Sequence, residues 1–248
     1  MRSADGGRPL ISVIMPVYNG SSYIGESIRR VTSYMEELGV PYEVIVVDDG
    51  SEDGTRTKAL KHVSSRVRVL GYDHNRGKGY AFIHGALRSR GDIIVLLDSD
   101  LDVPPQQVST LLQAINSGAD IVITNKWHPK SRTIATPTRR FLSLSYNALV
   151  RLLTGLKLQD TQTGAKAFRR EPLLQVIKHM HVKRYAFDTE LLLIAKQLGY
   201  EIVEIPNLKP ILLTSRFKLK EIMRMLLELL SITYRHRLSR TAGRVERH

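Results

Sequence analysis

Three short runs constrain this chain more than anything else in it. Residues 11–17 (ISVIMPV), 43–48 (EVIVVD) and 93–98 (IIVLLD) are β-rich and carry apolar residues on both faces. A strand of that kind must be covered on both sides, as in a parallel sheet between two helical layers. Helical stretches fall between them, at about 21–38, 54–63 and 78–89. Strand then helix, repeated, implies βαβ units. Further strands are expected at 119–124 (ADIVIT) and 201–205 (EIVEI), with long helices at 138–154 and 188–198. The expectation is one α/β domain, Rossmann-like, with a mostly parallel central sheet. At 248 residues the chain can bury a full core of that type.

In such sheets ligands bind beyond the carboxyl ends of the strands. Each of the three runs ends there in a polar cluster: Pro16-Val17-Tyr18-Asn19-Gly20, then Asp48-Asp49-Gly50-Ser51-Glu52-Asp53-Gly54-Thr55, then Asp98-Ser99-Asp100-Leu101-Asp102. The three would converge at one edge. Asp98, Asp100 and Asp102 place three carboxylates within five residues, and close pairs repel by roughly 1 kcal/mol even in water. A divalent cation removes that cost. Oxygen ligands, with no cysteine in the chain, favour Mg²⁺ or Mn²⁺, which could bridge a diphosphate. The alternative is a solvated acidic turn ahead of Pro104-Pro105. Asp48 and Asp49 suit ribose hydroxyls or a base N–H, whereas Asp53 or Ser51 suits a helix cap. His74-Asn75-Arg76-Gly77-Lys78-Gly79 precedes a helical run, where backbone N–H groups and Lys78 would attract phosphate.

The net charge of +13 favours an anionic partner: nucleic acid, a phosphate-bearing ligand or an anionic membrane. It is unevenly spread. Residues 209–248 hold ten Lys or Arg against three Glu, and residues 126–140 hold five basic residues and no acid. No recognised nucleic-acid motif or stacking platform accompanies the charge, so no nucleic-acid partner is expected. The polar start MRSADGGRPL is not a signal peptide, and no run reaches the 18 apolar residues of a membrane span. In residues 219–238, Leu219, Ile222, Met223, Leu226, Leu230 and Tyr234 fall near one helical face, flanked by Lys218, Lys220, Arg224, Arg235 and Arg237. Such a basic amphipathic helix can lie in a membrane interface or pack on the sheet.

The ordered set ISVIMPVYNG, VVDDGSEDGT, NRGKG and DSDLDVPP resembles family 2 of the glycosyltransferases, with the GT-A fold. Arg139-Arg140-Phe141-Leu142-Ser143, the run from Asp160 to Arg170 (DTQTGAKAFRR) and that from Tyr185 to Leu192 (YAFDTELL) narrow the resemblance to the polyprenyl-phosphate branch. This branch holds the dolichyl-phosphate mannose synthases and glucosyltransferases. The resemblance covers about residues 10–235. It implies inverting hexose transfer from UDP-glucose or GDP-mannose to a polyprenyl or dolichyl phosphate, with Mg²⁺ or Mn²⁺ on Asp98, Asp100 and Asp102. It also implies nucleotide-sugar contacts from Pro16, Tyr18, Asn19, Asp48, Asp49, Lys78, Asp98 and Ser99. The acceptor phosphate would fall to Lys126, Arg139, Ser143 and Arg216, with Asp100, Lys126 and Arg139 carrying the catalysis. Thr161, Gln162 and Thr163 would line the sugar. Gly20 stands where the family often has Glu, so that contact is missing here.

A lipid phosphate is already an anion and needs cations rather than a general base. Asp188 reads either as a helix N-cap or as a contact to the sugar or to a basic residue, and Trp127 as a possible stacking surface. The expected organisation is a GT-A domain over 10–217, an amphipathic membrane-interface helix over 218–238 and a disordered tail over 239–248. The resemblance and the charge together suggest peripheral attachment to the cytoplasmic face of a membrane, with or without a membrane partner subunit, rather than secretion. The competing readings are a family 2 transferase acting on a saccharide acceptor and, less well supported, a nucleic-acid-binding protein.

Overall fold

The computed structural model describes residues 9–182, 184, 186–213 and 219–245. In chain order the elements begin β1 (Ile11–Val17), α1 (Ile24–Glu37), β2 (Tyr42–Asp49), α2 (Thr55–Leu60), β3 (Val67–Tyr72), α3 (Lys78–Ala86) and β4 (Ile93–Leu97). They continue with α4 (Gln107–Asn116), β5 (Ile121–Asn125), β6 (Thr133–Ala135), α5 (Pro137–Thr154), β7 (Ala165–Arg169) and α6 (Arg170–Lys178). The last are α7 (Phe187–Gln197), β8 (Ile202–Pro206), β9 (Ile211–Leu213) and α8 (Leu219–Val245).

Seven strands form one sheet in the order β3-β2-β1-β4-β7-β5-β8, and β6 pairs with β9 apart from it. The sheet is buried on both faces, as the apolar runs require. Val13, Met15 and Val17 of β1 pack with Ile24, Ile28, Val31 and Met35 of α1 and with Leu111 and Ile115 of α4. Ile14 turns the other way, to the cluster holding Phe82 of α3, Val150 of α5, Leu191 of α7 and Leu229 of α8. The α1 residues recur at helical spacing, and each such buried side chain contributes about 1.5–3 kcal/mol of apolar burial.

Four strands among the described residues were not expected: β3 at one edge of the sheet, β6 and β9 outside it, and β7 in its interior. β7 runs antiparallel between β4 and β5, with Ile93 opposite Arg169 and Ile121 opposite Phe168. Its sequence, AKAFR, is short and carries a lysine at its second position, which hides the apolar strand pattern. Lys166 is fully buried and ion-paired to Asp188 at 2.8 Å.

The sheet has two chemically distinct ends. At the amino end Glu43 of β2, nearly inaccessible, accepts from Ser12 Oγ at 2.7 Å and from Arg90 N at 2.6 Å. Arg68 and Arg90 guanidinium nitrogens lie 3.3 and 3.5 Å from its second oxygen. At the carboxyl end the chain leaves β1 toward β2 and β3 on one side, then returns through β4 on the other side of β1. That reversal opens a crevice between the ends of β1 and β4, where a ligand is expected.

The C-terminal helix packs one face into the core, as one of its two alternatives required, and leaves part of the expected stripe exposed. Met225, Leu229 and Ile232 of α8 are buried, Leu229 and Ile232 in the core. Met223, Leu230 and Tyr234 of the expected stripe are exposed, as is Leu227. Leu226 is half-buried. The helix also continues past 238 to Val245, so the expected tail is helical over most of its length. The run Ser239-Arg240-Thr241-Ala242 contains no helix breaker.

Candidate active site

The crevice is a cleft of about 380 Å³ lined by Pro16, Val17, Tyr18 and Tyr23, by Asp49, Asn75, Gly77 and Lys78, by Asp98, Ser99 and Asp100, and by Arg184. Three cross-links hold the loops above β1 and β2 together. Asn19 N donates to Ser51 Oγ at 2.9 Å, Gly20 N to Thr55 Oγ1 at 2.8 Å, and Ser21 N to Asp53 Oδ2 at 3.0 Å. Asp53 also accepts from Thr55 N at 3.0 Å, at the start of α2, in keeping with a structural role. Asn19 has a positive φ of 50° and its amide oxygen accepts from Glu52 N, so its side chain staples loop to loop.

Asp48 and Asp49, adjacent on one strand, point to opposite faces. Asp49 lines the cleft, but its oxygens accept from Tyr72 Oη at 2.7 Å, Asn75 Nδ2 at 2.9 Å, Arg76 N at 2.8 Å and Gly77 N at 2.9 Å. It shapes the loop that leads into α3. Asp48 is not among the cleft residues. It is buried with one oxygen lacking a hydrogen-bond partner, and burial pushes its carboxyl above the ordinary range.

Asp98 and Asp100 share the floor of the cleft. Lys78, the first residue of α3, reaches Asp98 Oδ1 at 2.5 Å. Burial opposes the charge of this ammonium, but Asp98 and Asp188 outweigh it and hold its pKa above normal. Asp100 forms no ion pair among the described residues; desolvation and then repulsion from Asp98 push its pKa up to about 6. Asp102 is raised by the same two causes, with Arg139 opposing. Its backbone N–H donates to Asp100 Oδ1 at 3.2 Å. Leu101 between them has a φ of 57°, a costly backbone for a leucine, and its side chain is buried.

Asp102 does not line the cleft, and among the described residues no group of three His, Asp or Glu side chains is arranged around a single metal position. The residues present nonetheless fit a divalent ion. Two neighbouring carboxylates of the cleft, Asp98 and Asp100, offer oxygen ligands, and diphosphate oxygens would supply others. Gly164 sits behind them: its carbonyl accepts from Asp98 N at 2.9 Å, and a Cβ there would lie 3.0 Å from Asp98 Oδ2.

The sequence model of glycosyl transferase family 2 matches residues 12–177, well over half of the chain. The chain belongs to this family. A Mus musculus dolichyl-phosphate beta-glucosyltransferase is 35% identical over 212 residues, which cover 79% of this chain and 65% of that protein. A Trichomonas vaginalis dolichyl-phosphate beta-glucosyltransferase is 28% identical over 253 residues, 96% of this chain and 77% of that one. The crystal structure of Mycobacterium tuberculosis glucosyl-3-phosphoglycerate synthase with UDP matches with a TM-score of 0.68 at 25% identity, covering 93% of this chain and 82% of that one. The fold is thus GT-A, and the branch is that of the polyprenyl-phosphate hexosyltransferases.

Beside the cleft of this family 2 transferase lies the basic stretch. Thr136 caps α5, its hydroxyl accepting from Arg139 N at 3.3 Å, and Pro137 occupies the first turn. Arg139 is half-buried; desolvation lowers its pKa and Asp102 opposes. Ser143 Oγ accepts from Trp127 Nε1 at 3.2 Å, and the Arg140 guanidinium lies 6.0 Å from the Trp127 ring. Trp127 therefore packs at the expected acceptor shelf. Lys126 is placed differently from Arg139. Its ammonium donates to both Asp160 oxygens at 2.8 Å and to Gln162 O at 2.6 Å, which holds the 160–163 turn in place. Thr161 and Thr163 in that turn are buried and do not line the cleft. Arg216 lies outside the described residues.

Asp188 is not the cap of α7. Ala186 holds that position, and its N–H donates to Glu228 Oε2 of α8 at 2.7 Å. Asp188, buried, turns inward to Lys166. Burial lowers the Lys166 pKa while Asp188 opposes. Sequence reasoning missed Tyr23 and Arg184 as cleft residues. Tyr23 sits in the space next to Gly20, where a Cβ would come within 2.7 Å of its ring and hydroxyl. Its phenol bonds Ser99, although burial still raises its pKa. The missing side chain at position 20 was the available signal.

Proposed function

We propose that this transferase moves glucose from UDP-glucose to the phosphate of a polyprenyl lipid at a membrane surface, with inversion. The observation that carries this reading is the pairing of an acidic cleft at the sheet reversal with the cationic start of α5 beside it. The donor half draws support from the relatives named as glucosyltransferases and from the UDP-bound structural relative.

Each side has a stated task. The uridine would enter between the β1 and β2 loops, over Pro16, Tyr18 and the Asp49-braced turn. The diphosphate would meet Lys78 and the start of α3. Asp98 and Asp100 would hold a divalent ion, which supplies charge stabilisation to the leaving diphosphate. Arg139, with Ser143 next to it, would hold the acceptor phosphate. Its oxygen is already ionised, so the protein has to overcome repulsion between two anions rather than remove a proton.

For the membrane side, no helix among the described residues is long and apolar enough to cross a bilayer. Met223, Leu227, Leu230 and Tyr234 nevertheless form an exposed stripe at helical spacing on α8. Phe141, Leu144 and Leu152 are exposed on α5, which touches α8. Apolar burial of this stripe plus roughly 1 kcal/mol per nearby basic residue would give reversible, salt-sensitive attachment.

The test is a donor panel of UDP-glucose and GDP-mannose with Mn²⁺ or Mg²⁺ and a short polyprenyl phosphate, alongside flotation with anionic vesicles. Lipid-linked glucose from UDP-glucose is expected. Transfer to a saccharide but never to the lipid phosphate would overturn the acceptor assignment. Leu227→Glu with Leu230→Glu is expected to release the protein from vesicles while leaving UDP-glucose binding in place.

A further inference from the structure

Arg184 is the second cation of the cleft; among the described residues that line it, Lys78 and Arg184 carry the positive charge. Lys78 is engaged with Asp98 at 2.5 Å. Arg184 instead bonds across the cleft mouth to Asn75, Nη2 to its carbonyl oxygen at 2.9 Å and Nη1 to its amide oxygen at 3.2 Å. Asn75 in turn donates to Asp49 Oδ2 at 2.9 Å. A guanidinium carries five N–H groups, more than Asn75 consumes, in a planar fork that matches phosphate oxygens.

Arg184 lies between α6 and α7, and two carboxylates hold described backbone on either side of it. Glu190 of α7, fully buried, accepts from His181 N at 2.8 Å and Val182 N at 2.6 Å. Glu228 accepts from Ala186 N at 2.7 Å. Glu228 belongs to α8, and His236 of the same helix lies 3.8 Å from Glu190. Both carboxylates therefore lie on or beside the helix that presents the exposed apolar stripe.

We propose that Arg184 is a donor-binding residue that contacts the diphosphate of the nucleotide sugar, and that α8 positions it through Glu228. This rests on the nucleotide-sugar reading above. The guanidinium N–H groups that Asn75 does not use would make charge-assisted bonds to phosphate oxygens. Glu228 acts at one remove, by holding the backbone at Ala186.

Steady-state kinetics and calorimetry on the full chain, with UDP-glucose as the probe, test both parts. Arg184→Ala is expected to raise the UDP-glucose KM and Kd about tenfold, with kcat and acceptor KM within about twofold, and Arg184→Lys to recover part of the loss. Glu228→Ala is expected to raise the donor KM about threefold, and Glu228→Gln, which keeps an oxygen for Ala186 N, to restore it. Unchanged donor affinity in Arg184→Ala, with normal binding by the wild type, overturns the donor role alone. So does an equal rise in both substrate constants with a lowered Tm, which would mark a structural role. An unchanged donor KM in Glu228→Ala overturns the part played by α8. A wild-type protein that binds neither UDP-glucose nor GDP-mannose overturns the nucleotide-sugar reading itself.

Discussion

The two ends of the sheet treat the same chemical group in opposite ways. At the amino end Glu43 is shielded from water, yet Ser12, the Arg90 N–H and Arg68 more than offset burial and hold its pKa below normal. At the carboxyl end Asp100 is reachable by solvent, yet its pKa is pushed up to about 6 by desolvation and by Asp98. One carboxylate is completed by the fold. The other, among the described residues, forms no ion pair, and Lys78 offsets only part of the burial and repulsion. Unmet charge in a cleft, rather than burial, is what singles out the carboxyl end as the candidate site.

The strongest way to break the comparison is Asp100→Ala. Loss of about a thousandfold in kcat is expected, with no fall in the metal-free Tm, since the residue serves the ligand and not the fold. Glu43→Ala should do the reverse. It is expected to cost about 3 kcal/mol of stability by removing the acceptor for Ser12, Arg90 and Arg68. Activity per folded molecule should stay within about twofold in chemical denaturation and assay side by side. A large loss of turnover in Glu43→Ala would mean that the two ends are not separable.

Arg139→Ala should raise the acceptor KM about tenfold and leave UDP-glucose affinity unchanged by calorimetry. Equal losses for both substrates would assign Arg139 to the donor or to the fold.

The smallest effect concerns pH. Asp100, with its raised folded pKa, binds more protons in the folded state, so its stabilising contribution is present below its unfolded pKa and fades as pH rises through about 6. Glu43, held low, contributes above its unfolded pKa and loses that contribution as pH falls. In metal-free protein Asp100→Asn should therefore raise Tm by about a few degrees at pH 7.5 and leave it unchanged at pH 4. Identical shifts at both values would show that Asp100 is not strained by charge.

The cleft was legible because most of its residues sit in continuous motifs at strand ends, where the pattern of apolar run followed by polar cluster is local. The basic stretch and the 160–190 region were less so. In sequence the resemblance puts Lys126 at the acceptor phosphate, and Asp188 is open between a helix cap and a contact to the sugar or to a basic residue. Each is in fact one half of an ion pair whose partner, Asp160 or Lys166, lies in another element. Arg184 gave no signal either, because nothing local ties it to Asn75, 109 residues earlier. β7 stayed hidden for the same reason: Lys166 looks polar until Asp188 is known to neutralise it.

That hidden strand has a consequence for how the chain is made. β3, β2, β1 and β4 are all encoded before residue 98 and can pair as soon as they leave the ribosome. The strand that finishes β4 comes last to this partnership, because Ile93 must wait for Arg169. Over that interval β4, paired to β1 on one side, presents an apolar edge, IIVLL, whose backbone groups on the β7 side are unpaired. The nascent donor half is thus born with a sticky seam, and synthesis stalled between residues 98 and 165 would leave the species most prone to aggregate.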